Sequence, residues 1–168
     1  GRLQYRPFSH PHPEVAVAAM VTPSGPRMAG QYGVSLLSLS MSVAEGFARD
    51  FDPQTFHLDA EAAKDTFFAG LAASGWHTAA ITMRLVVESM PLAGGVIGAG
   101  GELSWPAPTR AGDDLTVEIE VLEITESRSR PDRGSALMRI TTRNQNGEIV
   151  QRFTPKVILA RKGDRPSS

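Results

Sequence analysis

An α+β fold in which an antiparallel sheet wraps one long helix is what this chain predicts, and two observations carry the prediction. Residues 114–123 alternate Leu115, Val117, Ile119 and Val121 with Thr116, Glu118 and Glu120, the period of a strand buried on one face. Upstream, Trp76, Ala79, Ala80, Met83, Val86, Val87 and Met90 recur at helical spacing. A long helix followed by a run of strands buries its apolar side in the sheet they form. With 168 residues, 41% of them hydrophobic, there is enough apolar material for the core of one domain.

Two apolar runs open the chain, residues 15–21 and 34–41, with strand or buried-segment character. Pro23-Ser24-Gly25-Pro26 and Gly30-Gln31-Tyr32-Gly33 mark turns between them. His10 and His12 would share one face of an extended strand, but Pro11, Pro13 and the lack of a nearby carboxylate favour a proline-rich loop over a metal site. Ser42-Val43-Ala44-Glu45 is a capping box and predicts a helix from Val43 towards Arg49, with Asp50 at its C-terminal end. Pro53 then forces a turn that carries His57 back towards the carboxylates of Asp50 and Asp52. Asp59 is read as the cap of a further turn over residues 60–64, and Ser74 as the N-cap of the long helix, which Pro91 closes.

A weaker strand is expected over residues 96–105, where Gly98, Gly100 and Gly101 mark a bulge or a close approach to the backbone. After the strand at residues 114–123, Ala136, Met138 and Ile140 alternate with Leu137, Arg139 and Thr141. Asn146-Gly147 is a turn signal leading into a last strand over residues 149–159, so a hairpin is expected there. The polar residues 163–168 read as a frayed tail.

Composition narrows the function classes. A net charge of -1 offers no basic field for nucleic acid, and Arg128, Arg130 and Arg133 are interleaved with Ser, Pro and Asp as in a loop. Without cysteine there is no disulfide, thiolate nucleophile or Cys-ligated metal, which fits a reducing compartment and makes the cytoplasm the expected location. No run approaches the ~18 consecutive apolar residues of a membrane span, and the first residues lack the pattern of a targeting signal.

The chemistry concentrates in residues 47–59, FARDFDPQTFHLD, where three acids, a proline turn and a histidine stand together. Histidine titrates near neutrality, and a carboxylate partner fixes its tautomer and raises its basicity, so such a pair can activate water. The same spacing also suits an Asx-type turn with a surface histidine.

Residues 47–162 resemble the MaoC-like dehydratases, the hot-dog-fold group that includes the (R)-specific enoyl-CoA hydratases. The family pattern Asp-x-Asn/Asp-Pro, then His-x-Asp, stands here as Asp50, Phe51, Asp52 and Pro53, then His57, Leu58 and Asp59. It continues into Ala73-Ser74-Gly75-Trp76-His77-Thr78, where the family places its central helix. The resemblance implies a hydro-lyase that adds water to, or removes it from, an enoyl thioester such as an acyl-CoA. It makes Asp50 and His57 the catalytic pair and Gly75 the backbone donor to the thioester carbonyl, with Ser74 and Trp76 beside it in the substrate-binding set. Otherwise Trp76 and the methionines read most simply as core residues. Also implied are a homodimer, no metal, and no cofactor beyond the acyl-CoA substrate.

Two departures stand out. Gln54, Thr55 and Phe56 lengthen the link between Pro53 and His57, and Ser74 takes the place of a histidine that many hydratases carry. Asp50 is preferred because the Asp-x-Asp-Pro order aligns it, leaving Asp52 to form the turn and Asp59 to cap. Residues 1–46 resemble instead an internal piece of the luciferase-like flavin monooxygenases, whose barrel needs ~200 residues to close. The chain thus reads as a fusion, a chimera or an artefact joining two unrelated genes, with residues 15–21 or 34–41 available to supply a missing strand. The alternatives are a non-catalytic hot-dog module that binds thioesters, and a fragment of a flavin-dependent monooxygenase.

Overall fold

The computed structural model describes residues 37–38, 41–90, 92 and 95–160. His10, His12, Pro91, the run at residues 15–21, the turns expected at residues 23–26 and 30–33 and the tail lie outside the described residues. Strand β1 (Leu37–Ser38) is followed by helix α1 (Met41–Phe51), helix α2 (Thr55–Leu58), a 3-10 turn (Ala62–Asp65) and the long helix α3 (Gly75–Ser89). Strands β2 (Ile97–Ser104), β3 (Asp114–Glu126), β4 (Arg133–Arg143) and β5 (Ile149–Ala160) complete the chain. All pairings are antiparallel, in the order β1-β3-β4-β5-β2. This is the expected α+β architecture, a hot-dog arrangement of an antiparallel sheet and a central helix.

Alternation sets the sheet's inner face. Leu115, Val117 and Ile119 of β3 and Ala136, Met138 and Ile140 of β4 are buried together with Val150 and Val157 of β5. Against them α3 packs Ile81, Leu85 and Val86, each such aliphatic side chain contributing about 2 kcal/mol of transfer free energy. The Asn146-Gly147 turn closes the β4-β5 hairpin, with Gly147 at a φ of 78° and its N–H donating to Asn144 O at 3.0 Å. The glycines of β2 do mark an irregularity: its register with β5 shifts between Gly98 and Gly101, and a Cβ on Gly101 would stand 2.7 Å from Pro155 Cα.

Two expectations need correction. Helix α1 is described from Met41, two residues before the start expected at Val43. More consequentially, Trp76, Met83 and Val87 are exposed, and the buried face of α3 is His77, Thr78, Ile81, Thr82, Leu85 and Val86. The helical period was right and the face only in part: Val86 is buried as expected, but the inner face also carries hydroxyls that find partners. Thr78 Oγ1 donates to Thr109 Oγ1 at 3.0 Å, and the Oγ1 atoms of Thr82 and Thr142 are 2.8 Å apart. Met90 is buried as expected. None of the described helices is long and apolar enough to cross a membrane.

Candidate active site

Three local features assemble the site. Helix α1 ends where Pro53 can donate no further helical hydrogen bond; the last is Asp52 N–H to Ala48 O at 2.9 Å. Gln54 is extended, and α2 is a single turn that swings His57 inward, where it is buried. Ala72 and Ser74, leading into α3, then meet both side chains from the other side.

His57 Nδ1 lies 2.8 Å from Ala72 O. A carbonyl oxygen can only accept, so Nδ1 carries the proton and Nε2 is left to exchange one. Nε2 stands 3.2 Å from Asp52 Oδ2. Phe56 meets the imidazole edge-on at 4.5 Å between ring centroids, with Phe68 at 6.2 Å.

Asp52 is held from several directions. Its Oδ2 accepts the Ser74 hydroxyl at 2.6 Å and its Oδ1 accepts Gln54 Nε2 at 2.7 Å. Burial opposes the charged form, but the hydrogen bonds from Ser74 and Gln54 and the charge of His57 outweigh it, so the carboxyl titrates below 3.8. Ser74 is fully buried and caps α3, accepting Trp76 N–H at 3.3 Å. The carboxylate is therefore tied to the end of a helix where free N–H groups favour negative charge.

Of the residues picked from the sequence, His57, Ser74 and Gly75 come together, but Asp50 does not join them. It lies exposed in the last turn of α1, and the carboxylate beside His57 is that of Asp52. The extra residues before His57 explain this, since the turn of α2 uses them and puts His57 within reach of the acid five positions upstream. Asp59 caps as expected, accepting Glu61 N–H at 2.9 Å and Ala62 N–H at 3.0 Å.

Gly75 opens α3, but the space its missing side chain leaves is filled by Trp105: a Cβ there would be 2.7 Å from Trp105 Cε2. Trp105 donates through Nε1 to Gln151 Oε1 at 2.9 Å and meets Trp76 edge-on at 5.5 Å. Neither Trp105 nor Gln151 was legible as a site residue, because their contacts join β2 to β5 and α3 across long sequence separations. His77, in the first turn of α3, stacks on Phe47 at 4.8 Å, and its buried Nδ1 has no hydrogen-bond partner among the described residues. Burial lowers its pKa from 6.5. Among the described residues no group of three or more His, Asp or Glu could hold a metal ion.

The family model described as "MaoC like domain" matches residues 31–143. An uncharacterized protein of Bacillus subtilis (strain 168), YdeM, is 35% identical over 118 residues, which span 68% of this chain and 82% of that protein. Among solved structures, the MaoC-like dehydratase from Rhodospirillum rubrum is 57% identical with a TM-score of 0.75, covering 80% of this chain and 90% of that one. The R-hydratase PhaJ1 from Pseudomonas aeruginosa is 27% identical with a TM-score of 0.59, covering 80% and 87%.

Proposed function

The chain belongs to the MaoC-like domain family, and from that premise we propose that it is a hydro-lyase adding water to, or removing it from, an enoyl thioester such as an acyl-CoA. The observation that carries the reading is the approach of His57 Nε2 to Asp52 Oδ2 at 3.2 Å, beside the start of α3.

In the hydration direction Asp52 and His57, in direct contact with each other, both bind one water. One of the pair removes its proton as the oxygen bonds to C3 of the enoyl group, and the π electrons move towards the thioester. Negative charge gathers on the carbonyl oxygen, where the Gly75 N–H at the helix end stabilises it. The pair then returns a proton to C2. Dehydration runs the same steps backwards. Nδ1 stays committed to Ala72 throughout, which keeps Nε2 as the exchanging nitrogen.

The catalytic pair in this reading is Asp52 with His57, whereas sequence order favoured Asp50. The test follows the loss of conjugated enoyl-thioester absorbance when crotonyl-CoA is added to the protein and to Asp52→Asn, His57→Ala and Asp50→Asn. Asp52→Asn and His57→Ala should each lose at least about 10²-fold, the scale of general acid-base catalysis, and Asp50→Asn should keep most of the rate. An inert protein that still binds crotonyl-CoA would overturn the enzyme reading and leave a thioester-binding module.

The partner proposed is a second copy of the chain. The outer side of α3 carries Trp76, Ala80, Met83 and Val87, all exposed, and within the described residues β2 pairs along one edge only, with β5. An exposed apolar stripe and an open strand edge each suit a self-complementary two-fold contact.

A further inference from the structure

The loop that presents Ala72 to His57 is braced by one side chain outside the site. Arg110 Nη1 donates to Gly70 O and Leu71 O, both at 2.8 Å, and Nη2 donates to Phe68 O at 2.6 Å. Three carbonyls of one short loop thus converge on a single guanidinium, whose fixed fork of donors suits such an arrangement. Their convergence depends on Ala69 at a φ of 48°, a left-handed conformation that alanine adopts only under constraint.

Arg110 is itself anchored. Its N–H donates to Asp113 Oδ2 at 2.7 Å, and Asp113 N–H returns to Arg110 O at 3.1 Å. The adjoining Thr109 O accepts Ala73 N–H at 2.8 Å. Residues 109 and 110 therefore grip the chain on both sides of Ala72, through Leu71 O and through Ala73 N–H. Between these grips Ala72 has little freedom: its N–H goes to Phe56 O at 3.0 Å and its carbonyl to His57 Nδ1.

We propose that Arg110 is a positioning residue whose guanidinium, by holding the loop at residues 68–71, fixes the Ala72 carbonyl and so keeps the proton of neutral His57 on Nδ1. The proposal rests on the reading of His57 with Asp52 as the acid/base pair, for the tautomer matters because it leaves Nε2 as the nitrogen that faces the carboxylate. Without the clamp the loop relaxes, the carbonyl drifts, and the imidazole populates the other tautomer, with its proton on Nε2 and directed at Asp52.

The test is Arg110→Ala with two readouts. The ¹⁵N shifts of the His57 ring should report a single Nδ1–H tautomer in the parent protein and a mixture in the variant, and added methylguanidinium should restore the parent pattern. On crotonyl-CoA, kcat should fall by about 10²-fold, the scale of a misplaced catalytic group, with KM changed far less, and methylguanidinium should recover part of it. Unchanged ring shifts in a folded Arg110→Ala overturn the proposal, whatever happens to thermal stability. If Arg110→Ala does not fold, Arg110→Lys decides, since one ammonium cannot span three carbonyls: a mixed tautomer supports the clamp and a parent-like pattern overturns it. A parent protein that ignores crotonyl-CoA sinks the hydratase reading alone, because the ring shifts still decide the clamp.

Discussion

Ser74 gives its hydroxyl proton to Asp52 Oδ2 at 2.6 Å while its own Oγ accepts Trp76 N–H at 3.3 Å, so one side chain both caps the central helix and secures the carboxylate beside His57. Ser74→Ala removes a cap and a charge-assisted hydrogen bond together. The expected loss is about 2–3 kcal/mol from the two effects, read as a lowered urea midpoint at neutral pH. Its pH dependence should change too. Asp52 titrates below 3.8 when folded, so its contribution to stability is present above 3.8 and lost as pH falls through the folded value. Ser74→Ala moves the folded value back towards 3.8 and should flatten that acid limb.

His77 works in the same sense at higher pH, through burial alone. Burial lowers its pKa, so the folded protein favours neutral imidazole. Below about 6.5 the unfolded chain takes up a proton that the folded chain resists, and stability drops as pH falls towards the folded pKa. His77→Phe preserves a ring against Phe47 and removes both the titration and the orphaned Nδ1. Thermal midpoints between pH 7.5 and 5.5 should fall less steeply in this variant, and parallel curves would count against His77 as the source.

Gly75 and Trp105 should be energetically coupled. A methyl group on Gly75 would stand 2.7 Å from the indole, so Gly75→Ala must displace Trp105 and strain its bond to Gln151. A cost of roughly 1–3 kcal/mol is expected for such overpacking. In a Trp105→Ala background the same substitution should cost little, and a double-mutant cycle by urea denaturation measures the difference. Additive effects would mean that the contact is not what demands a glycine there.

Met83 and Val87 test the proposed second copy. Both are exposed, so single glutamates should leave the fold of one chain within about 0.5 kcal/mol. Light scattering should show the parent protein at twice the chain mass and Met83→Glu/Val87→Glu at one chain mass. A variant that remains dimeric would place any interface elsewhere.

Period-two alternation made β3 and β4 legible, and Asn146-Gly147 made the last hairpin legible, because each signal is local and is set by residues a few positions apart. The span of α3 followed from its helical period and from Ser74. Its orientation did not, because the buried side carries Thr78 and Thr82, whose hydroxyls are acceptable inside only where Thr109 and Thr142 meet them. The sequence brought out His57 but not the carboxylate the structure sets beside it, because Asp50 and Asp52 differ by two positions on a chain whose path depends on how α2 winds. Arg110, Trp105 and Gln151 were invisible for a related reason, since each acts on residues about 30 or more positions away.

The strand order has a consequence for how the protein is made. Within the described residues β2 is hydrogen-bonded to β5 alone, so the strand that leads to Trp105 cannot be seated until residues 149–160 have left the ribosome. Helix α3 emerges earlier and waits without the sheet that will cover its inner face. Closing so long a loop before any reward is collected is entropically slow, which makes the seating of β2 a late step in the assembly of this domain.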